Sequence, residues 1–320
     1  MSVTFTNNSY VGGVFEEFLV RAISENKTLQ DGHAHLVSGI NKKLFLPRLR
    51  VSGNILQNFT NGTPSASGDV ALTERTLTPN KNMLYTTFIP NDFRDYWDFS
   101  QPPSSVSLVY TELPQAFRTA METELVRESN FDIAQSLWAG DIVTSPSPAY
   151  PLDRFNGWLY RASQDADVID ISGATTLTSS NIEDKLEEVY QLIPDAILMK
   201  ETLKMFVSIK TGKLVQAAAN AISGKGPIFL QTNGLGEISY NGVKIVPLAE
   251  IPNDVIFATH SGTGTDSNLW AGVTNSAEDI EPFRIDRVAN NSETWFIKAG
   301  VAMDTAIING DECVFYDGRA

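Results

Sequence analysis

The sequence holds one cysteine, three histidines and no long apolar run among its 320 residues. A single cysteine, Cys313, rules out an internal disulfide. Its setting in ECVFY, an apolar strand pattern, reads as a small buried hydrophobe rather than a nucleophile. Apolar runs such as Ile142–Val143 and Ile228–Leu230 are far too short to cross a bilayer, so no membrane partner is expected. The opening MSVTFTNNSYVGG carries neither a charged leader nor an apolar core, so no secretory signal is expected. Asn-x-Ser/Thr triplets such as those at Asn7, Asn58, Asn61 and Asn290 then await no glycan.

Basic residues are also scarce. There are 24 Lys and Arg against 38 Asp and Glu, a net charge of −14. A protein that grips nucleic acid by charge needs the opposite balance, so direct wrapping of DNA is not expected. The shortage is sharpest over residues 44–80, which contain no lysine and only Arg48, Arg50 and Arg75 as cations.

Catalytic patterns are missing as well. His33 and His35, in HAH, lie between DG and LVSG and read as loop, with no cysteine or third histidine nearby to complete a metal site. His260 heads a glycine-rich loop and is expected to be exposed. There is no G-x-S-x-G elbow and no GK[ST]. The short glycine motifs at 224–227, 234–236 and 262–264 lack the full dinucleotide pattern and read as turns. The adjacent acids Glu16–Glu17, Glu187–Glu188 and Glu278–Asp279 fall in loops or on helices, where neighbours in sequence point apart. No catalytic residue, cofactor site or metal ligand is expected, and the chain does not read as an enzyme.

What remains is a globular composition, 42% hydrophobic and 10% aromatic, long enough for about two domains. VGGVFEEFLVRAISE reads as a short helix followed by a loop. From Leu44 the texture alternates: LFLPRLRVSGNILQ, the polar tip NFTNGTPSASGD, then VALTERTL and NMLYTTFI make a long hairpin. An arm of fourteen residues spans about 45 Å, against a radius of gyration near ~20 Å for a compact body of this length. Such a hairpin cannot lie wholly within its own domain unless it bends.

A helix of about 25 residues follows Pro114, with Phe117, Met121 and Leu125 on one face and a stop at Gly140. TSPSPAYP breaks the chain at 144–151. Ser180-x-x-Glu183 reads as a capping box opening a helix with Ile182, Leu186, Tyr190 and Ile193 inward and Pro194 at its end. KLVQAAANAI is a second helix, THSGTGTDSN a flexible loop, and FRIDRV with TWFIKAGVAMDTAII a closing hairpin.

This order of parts resembles the major capsid protein of tailed bacteriophages, the Hong Kong 97-type α+β fold. GVKIVPLAEIPNDVIFATHS…NLWAGV looks like the family's strand–loop–strand run, and FRIDRV…SETWFIKAGVAMDTAIINGDECVFY is similar to its closing strands. The helix ending at Leu192-Ile193-Pro194, with AILMKETLKMF after it, looks like the same domain's helical segment. The resemblance implies an N-terminal arm (1–43), an extended E-loop hairpin (44–99) and a peripheral domain (100–150 and 277–320) with a spine helix at about 113–139. It implies an axial domain over 151–276, with loops near 219–226 and 259–268 meeting at the capsomer centre.

The implied partners are copies of the chain itself, as hexamers and pentamers, together with separate scaffolding, portal and decoration proteins. DNA is enclosed but not specifically bound, in a virion assembled in the host bacterial cytoplasm. Expected inter-subunit contacts are Arg48, Arg50 and Arg75, pairing with a neighbour's acids, with Asn58 and Phe59 at the hairpin tip. Gly224, Lys225, Gly262 and Gly264 are expected in the axial loops. One branch of the family joins subunits through an E-loop lysine, and the lysine-free hairpin argues against that bond here. An encapsulin-like compartment shell is the rival reading. A tail or receptor-binding module, using Trp97, Trp138, Trp158, Trp270 and Trp295 as platforms, is a third.

Overall fold

A computed structural model describes residues 27–59, 61–63, 65–89, 115–142, 153–171, 175–221, 230–232, 238–274, 284–289 and 292–319. A seven-stranded mixed sheet forms the centre. Its strands are β5 (Ile169–Ile171), β6 (Leu203–Ser208), β7 (Leu230–Thr232), β8 (Ile238–Tyr240), β9 (Val243–Leu248), β10 (Val255–His260) and β14 (Cys313–Asp317), in the order β5-β14-β10-β6-β9-β8-β7. Strand alternation sends side chains into two cores, since successive residues point to opposite faces. Phe206, Val255, Phe257, Cys313 and Phe315 enter one core with Trp138 and Trp158. Met205, Val207, Ile256, Ala258, Val314 and Tyr316 enter the other, beneath the helices Ile182–Leu192 and Ile209–Ala221. Every residue of β10 is buried, as a strand covered on both faces must be.

The helix at Ile182–Leu192 buries Ile182, Leu186 and Val189 as its spacing demands, but the capping box does not form. Asn181 is the N-cap and makes no side-chain capping bond to the helix. Its Oδ1 accepts from the Thr178 N–H instead, while the Ser180 hydroxyl pairs with that of Thr178.

A second sheet joins β1 (His35–Val37), β4 (Asn80–Phe88), β11 (Leu269–Val273), β12 (Arg284–Arg287) and β13 (Trp295–Ile307). The long helix, Gln115–Ala139, lies on it, with Met121 and Leu125 against Phe88, Ile285, Trp295, Ile297 and Ala299. The helix stops where Gly140 meets Gly157. A Cβ on Gly140 would sit 2.1 Å from the Phe155 carbonyl oxygen, so close approach rather than turn conformation requires the glycine.

The two sheets do not divide at residue 276. Strand β11 belongs with β13, while the closing strand β14 returns to the seven-stranded sheet between β5 and β10. Pairing partners far apart in sequence cause this interleaving. The described residues hold no helix long and apolar enough to cross a membrane.

Candidate assembly surface

Outside both sheets stands a two-stranded antiparallel ribbon, β2 (Leu44–Ser52) with β3 (Asp69–Leu77). Its register places Leu44 opposite Leu77, Leu49 opposite Leu72 and Val51 opposite Val70. Period-2 alternation then sorts the ribbon into two faces. The inward face carries Leu44, Leu46 and Leu77, which pack with Ile40 and Ala306 at the root. Gly272 permits this packing, because a Cβ there would lie 2.5 Å from Ile40 Cδ1 and 3.2 Å from Leu77 Cδ1.

The outward face carries Phe45, Leu49, Val51, Val70 and Leu72, all exposed, with Leu49 at 66% and Leu72 at 74%. A row of large apolar side chains in water is costly at about 25 cal/mol per Å². Contiguous patches of this kind mark interaction sites. The tip continues the trend: Leu56 and Phe59 are 97% and 93% exposed, and Asn58 is also at the surface.

The three expected arginines lie on the inward face, where they meet acids of their own chain. Arg48 pairs with Asp311 and, at 3.5 Å, with Asp167; Arg50 lies 3.4 Å from Asp311; Arg75 pairs with Asp165 and reaches Asp167 at 3.9 Å. Nothing in local sequence flagged these aspartates, which lie 90 or more positions from their arginines. The one available signal was the Asp165-x-Asp167 spacing just before a strand.

The loop after β10 is more firmly held than its glycines imply. Gly262 donates its N–H to Ser267 Oγ, and the Ser267 N–H reaches the Gly264 carbonyl at 3.1 Å. Gly262 is half-buried and Gly264 exposed. His260, expected at the surface, is buried, with Nε2 2.9 Å from the Asp266 carbonyl and Nδ1 facing Glu312 at 3.4 Å. Burial, and then Lys200, push its pKa down, while Glu312 opposes them.

His33 is buried too, and accepts from Lys204 Nζ at 3.0 Å. Burial and the Lys204 charge lower its pKa to about 4. His35 opens β1 instead of a loop, with Nδ1 2.6 Å from the Thr263 carbonyl. No group of three or more metal-ligating side chains occurs among the described residues. Cys313 is enclosed, and burial raises its thiol pKa to about 12. Trp138 and Trp158 pack edge to face in the core, Trp295 is buried and Trp270 is half-buried. Gly224, Lys225 and Trp97 lie outside the described residues.

No protein-family model and no curated protein matches the sequence. Solved structures match over nearly the whole chain. The capsid of cyanophage A-1(L) is 9% identical, with a TM-score of 0.57, covering 99% of this chain and 96% of its own. The procapsid of satellite phage P4, which includes a size determination protein, is 11% identical, with a TM-score of 0.56, covering 95% and 99%. A virus-like particle from Pyrococcus furiosus is 9% identical, with a TM-score of 0.50, covering 95% and 98%. The chain therefore has the Hong Kong 97-type capsid fold, α+β throughout.

Proposed function

We propose that this chain is a major capsid protein, a structural rather than catalytic component that self-assembles into the icosahedral head shell of a tailed phage. The observation that carries this reading is the ribbon: an arm with a row of exposed apolar side chains along its outward face, on a fold shared with capsid shells. An isolated hairpin is marginal in water, and its edges and apolar face gain partners only on another molecule. A second copy offers a matching seat. A groove of about 360 Å³ on the second sheet, lined by Met83, Tyr85, Arg284, Val288, Phe296 and Lys298, presents apolar side chains that match the apolar outward face of the ribbon.

On this reading the closed units are hexamers and pentamers, with the loops at 219–226 and 259–268, including Gly224, Lys225, Gly262 and Gly264, at their centres. Asn58 and Phe59 at the ribbon tip touch the neighbour. The enclosed DNA is held without specific contacts, and the net charge of −14 favours a weakly repelling interior. Scaffolding, portal and decoration proteins are separate chains, and assembly takes place in the cytoplasm of the bacterial host before the protein resides in the virion.

Electron microscopy of the purified full chain tests the proposal. Closed shells of uniform diameter are expected, and a protein that stays monomeric at millimolar concentration overturns it. A second reading, a shell that encloses cargo other than a genome, draws on the likeness to the virus-like particle. Absorbance of particles from infected cells separates the two, since a genome dominates the spectrum at 260 nm and protein cargo does not.

A further inference from the structure

The ribbon is attached to the body in two chemically different ways. At its root the contacts are apolar, through Leu44, Leu46 and Leu77, and the following turn is pinned where the Thr78 N–H donates to Asp304 at 2.7 Å. Asp304 is itself held by Arg161 at 2.6 Å. Farther out on the same face the contacts are charged, and a cleft of about 340 Å³ opens between ribbon and body, lined by Glu74, Arg75, Tyr160, Arg161 and Asp165.

The charged contacts form one connected chain. Asp165 and Asp167 sit on the turn before β5, and Asp311 on the turn before β14; these strands pair in parallel, so both turns lie at one end of the sheet. Arg75 joins Asp165 and Asp167, Arg48 joins Asp167 and Asp311, and Arg50 joins Asp311. Because Asp167 and Asp311 each serve two arginines, the pairs are coupled. The side chains of Arg50, Asp167 and Asp311 are each more than a third exposed, whereas those of Arg48 and Asp165 are 10% and 12% exposed. Salt therefore acts first on the outer pairs and less on the covered ones.

We propose that these six residues form a latch, released by salt, that fixes the angle at which the ribbon leaves the body, with the apolar root as its hinge. Salt screens exposed charge pairs while leaving apolar contacts in place, so the two attachments separate under one variable. The latch belongs to the single chain and holds whether or not the chain builds a shell.

The test uses the full chain below its assembly concentration, spin-labelled at Ile55→Cys on the ribbon and Glu201→Cys on the body. The native Cys313 is fully buried and escapes labelling. Electron–electron distance measurements at low salt are expected to give one narrow distribution. Near ~1 M salt, where the screening length falls to about 3 Å, the distribution broadens. The Asp167→Asn/Asp311→Asn variant broadens it already at low salt, whereas Lys185→Gln, which breaks the half-buried pair with Glu188 on the helix Ile182–Leu192 and touches none of the six residues, leaves it narrow.

Circular dichroism checks the fold of each variant, and the salt series needs no change to the six residues. A distribution that stays narrow in high salt, or one already broad at low salt, overturns the latch. Microscopy of particles reads the assembly proposal separately, so either can fail alone.

Discussion

Strands β2–β3 and β10 are both built on apolar side chains and put them to opposite uses. In β10 every residue is covered: Val255 and Phe257 lie in one core, Ile256 and Ala258 in the other. In the ribbon, the body covers the apolar root and the arginines of the inward face, while Phe45, Leu49, Val51, Val70 and Leu72 face water. The difference lies in the neighbours. β10 sits between β14 and β6 beneath helices, whereas β2 and β3, among the described residues, pair as strands with each other alone. Apolar area that is hidden within the chain stabilises the monomer; the same area left outside is available to stabilise an assembly.

Removing the ribbon is expected to have the largest effect. Deletion of residues 52–76 takes away the tip and outer arms but leaves Leu44, Leu46 and Leu77 at the root. Circular dichroism is expected to remain that of a folded monomer while sedimentation shows complete loss of particles. Loss of the fold would mean that the ribbon belongs to the core, and the contrast with β10 would collapse.

Single truncations sharpen the contrast. Phe257→Ala empties a fully buried ring site beside Trp138 and Phe315. It is expected to cost about 3–5 kcal/mol of folding stability. Leu72→Ala, on the exposed face, is expected to change monomer stability by no more than about 0.5 kcal/mol. It should nevertheless raise the concentration at which particles appear. Denaturant unfolding gives the first quantity and light scattering the second; equal unfolding penalties would refute the division.

How far the sequence alone reveals this arrangement depends on the range of the interaction. The β2–β3 part of the hairpin, the long helix and the inward face of Ile182–Leu192 are legible because alternation and helical spacing are local, whereas NMLYTTFI, read as part of the hairpin arm, forms β4 and pairs with β13 instead. The buried positions of His33 and His260 are not, since glycines nearby mark turns without showing what packs over them. The ion-pair partners of Arg48, Arg50 and Arg75 are equally hidden, because Asp165, Asp167 and Asp311 reach them only through the pairing of β5 with β14. Which sheet β11 and β14 join is hidden for the same reason. The exposed apolar face of the ribbon was readable as alternation, but which side of it faces water needed the root contacts.

His33 supplies a smaller effect, confined to the covered part of the molecule. Its folded pKa of about 4 lies below the ordinary 6.5, so the unfolded chain binds more protons between those values. Stability attributable to the neutral ring is therefore present above pH 6.5 and is lost as pH falls toward about 4. Thermal unfolding in that window is expected to show a falling midpoint, and His33→Gln should make the slope shallower. An unchanged slope in the variant would assign the acid sensitivity elsewhere.

The smallest expected effect is a null one, and it bears on how the proposed shell is held together. The described part of the ribbon is lysine-free by sequence, from Leu44 through Leu77, and the one cysteine is buried with its thiol pKa raised to about 12. Neither an amide link from the ribbon nor a disulfide has a nucleophile to start it. Particles are then expected to be held by buried apolar area and by the many repeated interfaces of a closed shell, where modest contacts gain through valency. Boiling purified particles in detergent without reductant should give a single band near 35.1 kDa on a denaturing gel. A ladder from dimer upward that survives boiling would show covalent joining by lysines beyond the ribbon, with Lys42, Lys43 and Lys81 the nearest to it in sequence. In that case substitution of each lysine by arginine would identify the residue by loss of the ladder, and the ribbon's apolar face would position a bond instead of carrying the contact itself.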